Sequence, residues 1–180
     1  PFNADPLVVY YNKDWFDDVG LPYPEGDWTW EQFAETAMKL MEARGSSGME
    51  RYGGMIGFTI DMLEPLVLSN GGSILSPDGG KTTGYLDGPA SVAAVQYAVD
   101  LFKAQDMDEG FMAPTDNSAM RRFFNRNHTG MIINSSSARY FLLPQFGDRL
   151  GAAPLPGFHG GRRANVTYSV GVGIPADAAN

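Results

Sequence analysis

The sequence predicts an α/β fold in which a short mixed sheet is flanked by helices on both faces. Short, uniformly apolar runs such as residues 7–11 and 130–134 are typical of strands that are covered on both sides. Longer segments between them repeat apolar residues at helical spacing. At 180 residues the chain has the length of about one domain, which is enough for a core without covalent staples.

Composition excludes several classes of function. The net charge is −8 and the basic residues form no stripe, so nucleic acid is not expected as a partner. The chain has no Cys, which excludes a disulfide framework and thiolate chemistry. Its apolar runs are too short to span a membrane. Because it begins at Pro1 and shows no signal peptide, we expect it to be a piece of a longer protein.

The first predicted strand covers residues 7–11, where Val and Tyr favour a pleated, buried surface. Asn12 is expected to end the strand and to cap a short helical turn that stops at Gly20. Asn3 and Asp5 precede the strand as polar groups at the edge of a buried element. They are therefore candidate ligand-binding residues.

The first long helix is predicted to begin at Thr29. Thr29 and Gln32 have the spacing of a capping box, in which each side chain bonds the other residue's backbone N–H. Residues 45–48 are expected to end the helix. Trp30 and Phe33 are expected to pack in the core. They begin an apolar stripe at helical spacing, which consists of Trp30, Phe33, Ala34, Ala37, Met38 and Met41.

A second strand is predicted at residues 55–58 and a helix at about 62–69. Residues just beyond the carboxyl end of a strand face the ligand crevice in open α/β sheets. Thr59, Asp61 and Glu64 are therefore candidates for ligand contact. An equally simple interpretation is that Asp61 only caps the helix.

The middle of the chain is expected to be structural. Residues 73–84 are predicted to be a polar connection with a hairpin-type turn at Asp78. The longest helix, residues 87–102, is expected to lie on the sheet, and residues 110–116 to form a loop. A short helix follows, and its three arginines favour either a phosphate contact or, more simply, a solvated face; they are Arg121, Arg122 and Arg126.

A buried strand at residues 130–134 runs directly into three hydroxyls, Ser135, Ser136 and Ser137. Free N–H groups at a helix start attract an anion or a hydroxyl-rich ligand, and Arg139 lies near enough in sequence to add charge. The alternative is an ordinary serine cap with Arg139 in solvent.

Two further extended segments are predicted, at residues 150–155 and 166–174. The second contains Tyr168 and Ser169, a ring and a hydroxyl of the kind that hold a sugar. Both are candidate ligand-binding residues.

Catalytic and metal-binding patterns are not seen. His128 and His159 are isolated, and neither a nucleophile elbow nor a phosphate-binding loop occurs. We therefore predict no cofactor, no metal and no catalytic residue. The rival hypothesis is a glycoside hydrolase that uses Asp61 and Glu64, although hydrolases place two carboxyls across a bond, about 5–9.5 Å apart.

Taken in order, several short motifs resemble those of the extracellular solute-binding proteins of bacterial ABC importers, the family of maltose-binding and glycerol-phosphate-binding proteins. Each motif is weak alone, but their order and spacing are specific. They are Tyr10-Tyr11-Asn12-Lys13-Asp14, Gly20-Leu21-Pro22, Thr29-Trp30-Glu31-Gln32-Phe33, Asn70-Gly71-Gly72, the helix at 87–102, Phe124-Asn125 with Gly130-Met131, Pro154-Leu155-Pro156 and the end at 171–180.

The resemblance implies a periplasmic-binding-protein-like lobe. Residues 1–180 are expected to form a single α/β domain, the main segment of lobe two, without lobe one and the C-terminal helices. The implied function is non-covalent binding of a sugar or polyol for import, with the transmembrane subunits of a permease as partner. The implied location is periplasmic or extracellular, with membrane contact only through a lipid anchor or the permease.

The resemblance leaves the substrate class open. The glycerol-phosphate binders are similar in the run after Asn3 and in the serine cluster, but they carry a serine where Ala4 or Asp5 stands here, and Asp5 repels phosphate. In maltose-type relatives, rings occupy the places of Ser137 and Asp61. A neutral sugar or polyol is the first hypothesis, and glycerol phosphate or a glycerophosphodiester the second. A pure interaction domain that docks on a permease is a third.

Overall fold

The computed structural model describes residues 3–44, 51–57, 59–103, 111–112, 117–158, 160, 162–171 and 173. Predictions at residues 45–48, Phe58, His159 and most of the C-terminal stretch lie outside these residues. The elements are β1 (Asn3–Asn12), α1 (Lys13–Val19), α2 (Trp30–Arg44), β2 (Tyr52–Met55), α3 (Ile60–Ser69), α4 (Pro89–Lys103), β3 (Phe111–Met112), α5 (Asn117–Asn125), β4 (Thr129–Ser135), α6 (Arg139–Phe146), β5 (Leu150–Ala153) and β6 (Thr167–Val170).

The strands form a mixed sheet in the order β3-β2-β4-β1-β5. β2 pairs in parallel with β3 and β4, whereas β1 pairs antiparallel with β4, β5 and β6. The predicted α/β class with a short mixed sheet is confirmed.

Helices cover both faces of this sheet. Alternate side chains of β1 enter two separate apolar clusters, Val9 and Tyr11 on one side and Tyr10 on the other. The first cluster contains residues of α1 and α2, and the second contains residues of α5 and α6. This two-sided burial explains why β1 is uniformly apolar rather than alternating.

β1 changes partners along its length, and this positions the candidate site. Residues 3–6 pair with β6, and from Leu7 onward the strand pairs with β4. At the change, Asn165 Oδ1 accepts a hydrogen bond from Leu7 N at 3.1 Å, and Asn165 Nδ2 donates to Leu7 O at 2.7 Å. One amide side chain therefore replaces a strand partner at Leu7.

The predicted local caps are confirmed. Asn12 Oδ1 accepts from Asp14 N at 3.1 Å, and α1 ends at Gly20 with φ 67°. Thr29 N donates to Gln32 Oε1 at 2.8 Å, and Gln32 N donates to Thr29 Oγ1 at 3.2 Å. Each cap joins residues that are at most three positions apart, so the local sequence is sufficient to predict it.

The position of β2 was predicted wrongly. The ladder covers Tyr52–Met55 rather than residues 55–58, and it includes Gly53 and Gly54. A Cβ on Gly53 would lie 1.7 Å from the carbonyl oxygen of Ala37 on α2. The glycine therefore permits direct contact between helix and strand backbones, although it resembles a turn signal in the sequence.

The expectation that the longest helix lies on the sheet was also wrong. α4 packs mainly against α3. Its buried face consists of small side chains, Ser91, Ala94 and Ala98, while Val92 is 52% exposed. Small residues allow two helices to approach closely.

Three smaller differences from the sequence predictions concern short segments. Phe111–Met112 is a strand inside the predicted loop. The turn at residues 76–81 has no flanking strand among the described residues on either side of it. β5 and β6 are shorter than the predicted segments.

In the described part of the chain, no helix is long and apolar enough to cross a membrane.

Candidate functional site

Asp5 and the three serines form one hydrogen-bonded group, which we call the Asp5–serine cluster. Asp5 Oδ1 accepts from Ser136 Oγ at 2.7 Å and from Ser137 N at 2.8 Å. Asp5 Oδ2 accepts from Ser137 Oγ at 2.7 Å. Ser135 Oγ lies 2.9 Å from Ser137 Oγ. Two segments more than 130 residues apart in sequence thus meet at the end of the sheet.

Strand register explains this meeting. Leu7 lies opposite Ser135 at the end of β4, so Asp5 extends beyond that end on the neighbouring strand. There the chain turns into a short 3-10 helix, Ser136–Ala138, whose first N–H groups lack helical partners. The Tyr10 hydroxyl donates to Ser136 O at 2.8 Å and so stabilises the same turn.

The cluster keeps Asp5 ionised. Partial burial raises the pKa of Asp5, but hydrogen bonds from Ser137, Ser136 and Ser135 oppose burial and leave it below 3.8, the ordinary value. The donors that were expected to attract an anion or a hydroxyl-rich ligand therefore already bind a carboxylate of the chain itself. The Asp5–serine cluster therefore presents a hydrogen-bonded negative charge rather than an open anion site.

Tyr168 joins the start of α3 to the same surface. It lies opposite Asp5 in the β1–β6 register, so both side chains belong to one face of this two-stranded ribbon. Burial raises the pKa of Tyr168, as do the charge and hydrogen bonding of Asp61 and the charge of Glu64. Tyr168 thus interacts with Asp61 and lies opposite Asp5 on the neighbouring strand.

Thr59 occupies the cap position of α3, so Asp61 is not the cap. The Thr59 carbonyl accepts from Met62 N and Leu63 N, both at 3.0 Å, but its side chain makes no cap bond. Thr59 Oγ1 is buried and has no hydrogen-bond partner among the described residues. Asp61 lies in the first turn, where a carboxylate interacts favourably with the helix dipole.

Two predicted residues stand apart from the group, and a third is not described. Ser169 lies opposite Ala4, one residue out of phase with Tyr168, so it emerges on the other face of the ribbon. The Arg139 guanidinium lies 5.5 Å from the Tyr140 ring centre and makes no hydrogen bond to the serines. The side chain of Asn3 is outside the described atoms, although its backbone pairs with Val170.

We use the term solute wall for the side chains that the structure connects. The set is Asp5, Asp61, Ser135, Ser136, Ser137 and Tyr168, with Thr59 and Glu64 beside it. Its charge is mainly negative. Among the described residues, no group of three or more His, Asp or Glu side chains is arranged to hold a metal ion.

Sequence reasoning missed two features near this wall. The Tyr10 hydroxyl was assigned only to a buried strand, and no local pattern marks it as a partner of Ser136. Tyr140 and Phe141 were given no role, yet both are exposed at the start of α6. The signal for these two rings was present, since Leu142 and Phe146 define the opposite, buried face of the helix.

The chain belongs to the family of bacterial extracellular solute-binding proteins, whose model matches residues 1–180. The resemblance noted in the sequence is thereby confirmed, and the family places the protein outside the cytoplasm.

Individual relatives are similar over parts of their length. The sn-glycerol-3-phosphate-binding periplasmic protein UgpB of Pectobacterium atrosepticum is 31% identical over 110 residues, which cover 59% of this chain and 24% of the relative. Maltose-bound MalE3 of T. maritima is 26% identical with TM-score 0.74, covering 93% of this chain and 42% of that one. A solute-binding protein of Agrobacterium vitis with bound D-mannitol is 25% identical with TM-score 0.70, covering 93% and 40%. The chain therefore spans less than half of each relative.

Proposed function

We propose that the protein is the substrate-binding component of an ABC importer and binds a neutral sugar or polyol without covalent chemistry. The observation that carries the choice of substrate is the Asp5–serine cluster. Its carboxylate already accepts three hydrogen bonds from the serine turn. Family membership and the relatives with bound maltose and mannitol support the broader function.

Electrostatics favours a neutral solute at this wall. Two unit charges 4 Å apart interact by about 4 kcal/mol near a protein surface, so a phosphate beside Asp5 is repelled by an amount of that order. A polyol avoids this cost, because its hydroxyls donate to the carboxylates of Asp5 and Asp61 and to the lone pairs of the serine hydroxyls, whose own O–H groups are already bonded. Hydroxyl groups therefore match both the charges and the acceptors of the wall.

A second candidate is glycerol phosphate or a glycerophosphodiester. The sequence similarity to a glycerol-phosphate-binding relative favours it, at 31% identity. Under this alternative the phosphate contacts a part of the full-length protein other than the Asp5–serine cluster, because those donors are occupied.

Residues 1–180 are proposed to supply one wall of the binding cleft, as the main segment of lobe two. The permease of the importer is the proposed partner. Hydrolysis is not proposed, because Asp61 and Glu64 stand three residues apart on one helix, α3, and so are neighbours on its surface. A hydrolase needs carboxyls on opposite sides of the scissile bond.

Calorimetry of the full-length protein tests the proposal. A panel of sugars and polyols is titrated beside glycerol 3-phosphate, into the wild type and into Asp5→Asn. We expect a neutral solute to bind, and Asp5→Asn to weaken that binding by roughly 10- to 150-fold, since a charged hydrogen bond is worth about 1.5–3 kcal/mol.

The matched control is Asp100→Asn, because Asp100 is an exposed residue of α4 that accepts from Gln96 of the same helix. It should leave affinity unchanged. Tight binding of glycerol 3-phosphate by the wild type, with no neutral solute bound, would replace the first candidate by the second.

A further inference from the structure

The outer face of α6 exposes large apolar side chains. Tyr140 is 72% exposed, Phe141 62% and Leu143 48%, whereas Leu142 and Phe146 on the inner face are buried. Three such residues within four positions form a continuous patch, unlike singly scattered surface apolar residues.

Arginines from two helices cover these rings. The Arg121 guanidinium of α5 lies 5.3 Å from the centre of the Phe141 ring, and the Arg139 guanidinium lies 5.5 Å from that of Tyr140. Such cation–π contacts hold rings and charges in place before any partner arrives. We call Arg121, Arg139, Tyr140, Phe141 and Leu143 the aromatic–arginine face.

The charge of this region is opposite to that of the whole chain. Residues 117–149 carry five arginines and one carboxylate, Asp148, although the net charge of the chain is −8. Arg149 pairs with Asp14 at 3.2 Å. In the part of the chain that the structure describes, the other four arginines have no carboxylate within salt-bridge distance.

The composition of the face favours a protein partner over a lipid surface. Arg, Tyr and Phe are enriched in the energetic centres of protein interfaces, and Lys is depleted there. Residues 117–149 contain no Lys at all. An anionic membrane would repel the rest of this acidic chain, whereas a protein surface can place its carboxylates only where the arginines lie.

We propose that the aromatic–arginine face docks a protein surface in which carboxylates surround an apolar pocket. The inference rests on the proposed function, under which this partner is a transmembrane subunit of the importer. α6 follows directly from the serine turn of the solute wall. α6 therefore connects the proposed docking face to the residues that are proposed to bind the solute.

The test uses the full-length protein and the importer's transmembrane subunits in nanodiscs. Association is measured for the wild type, for Tyr140→Ser/Phe141→Ser and for Arg121→Glu, at two salt concentrations. We expect each variant to associate at least tenfold more weakly and salt to weaken the wild type. Val92→Ser, an exposed apolar residue on α4, is the matched control and should associate normally.

Solute affinity and vesicle binding separate the alternatives. The proposal requires that the variants bind solute as the wild type does. It also requires that phosphatidylglycerol vesicles without permease bind neither the wild type nor the variants. Unchanged association of the variants overturns it. So does a loss of solute affinity without loss of association, which makes the rings part of the cleft, and so does equal binding to bare vesicles. Failure of the proposed function is distinct, because the wild type then binds no sugar or polyol.

Discussion

At the scale of single residues, Asp5 accepts the hydrogen bonds that the serine turn donates. Three serines at a helix start predict either a site for an anion or a hydroxyl-rich ligand or an ordinary cap. The structure shows that these donors bond Asp5, from a strand that precedes them by about 130 residues. An internal carboxylate therefore takes the place of an external anion, and the wall offers acceptors to hydroxyl groups.

The pH dependence of stability tests this arrangement. The pKa of Asp5 is lowered in the folded protein, so its contribution to stability is complete above about 3.8 and is lost as pH falls through the folded-state pKa. We expect the free energy of unfolding of the wild type to fall more steeply below pH 4 than that of Asp5→Asn. Urea unfolding at pH 5 and pH 3 measures this, with Asp100→Asn as control; equal slopes would contradict it.

At the scale of elements, backbone contact between α2 and β2 determines where the second strand lies. Gly53 has no side chain and lies directly against Ala37. Position 53 is buried, and the strand pairs in parallel with β4. A helix and a strand can approach this closely only where one of them lacks a Cβ.

Substitution of this glycine should be costly. In Gly53→Ala the new Cβ would overlap the Ala37 carbonyl, so the helix must move, at a cost of about 3 kcal/mol or more in the free energy of unfolding. Urea denaturation gives this value. Gly171→Ala is the matched control, because nothing lies within 4 Å of a Cβ there. Similar stabilities for the two variants would show that α2 and β2 are not in backbone contact.

At the scale of the whole molecule, the described residues form one sheet with a core on each side, and the solute wall lies at one end of that sheet. A single wall covers only part of a small solute, whereas binding sites bury most of the ligand surface. The wall of residues 1–180 is therefore proposed as half of a cleft.

The isolated segment should bind its solute much more weakly than the full-length protein. We expect at least a hundredfold difference in dissociation constant, because about half of the burial and of the hydrogen bonds is missing. Calorimetry of both proteins with the same sugar panel measures it. Tight binding by the 180-residue segment would show that its wall is sufficient alone.

The sequence by itself determined what depends on neighbouring residues. It predicted the Asn12 cap, the Thr29–Gln32 capping box, the two-sided burial of β1 and the family, because short spacings and apolar runs contain that information. Tertiary structure alone decided the buried face of α4, the register of β2 at Gly53, and the occupation of the serine turn by Asp5. These features arise from contacts between segments that are distant in sequence. Such contacts produce no periodic pattern in the chain from which they could be predicted.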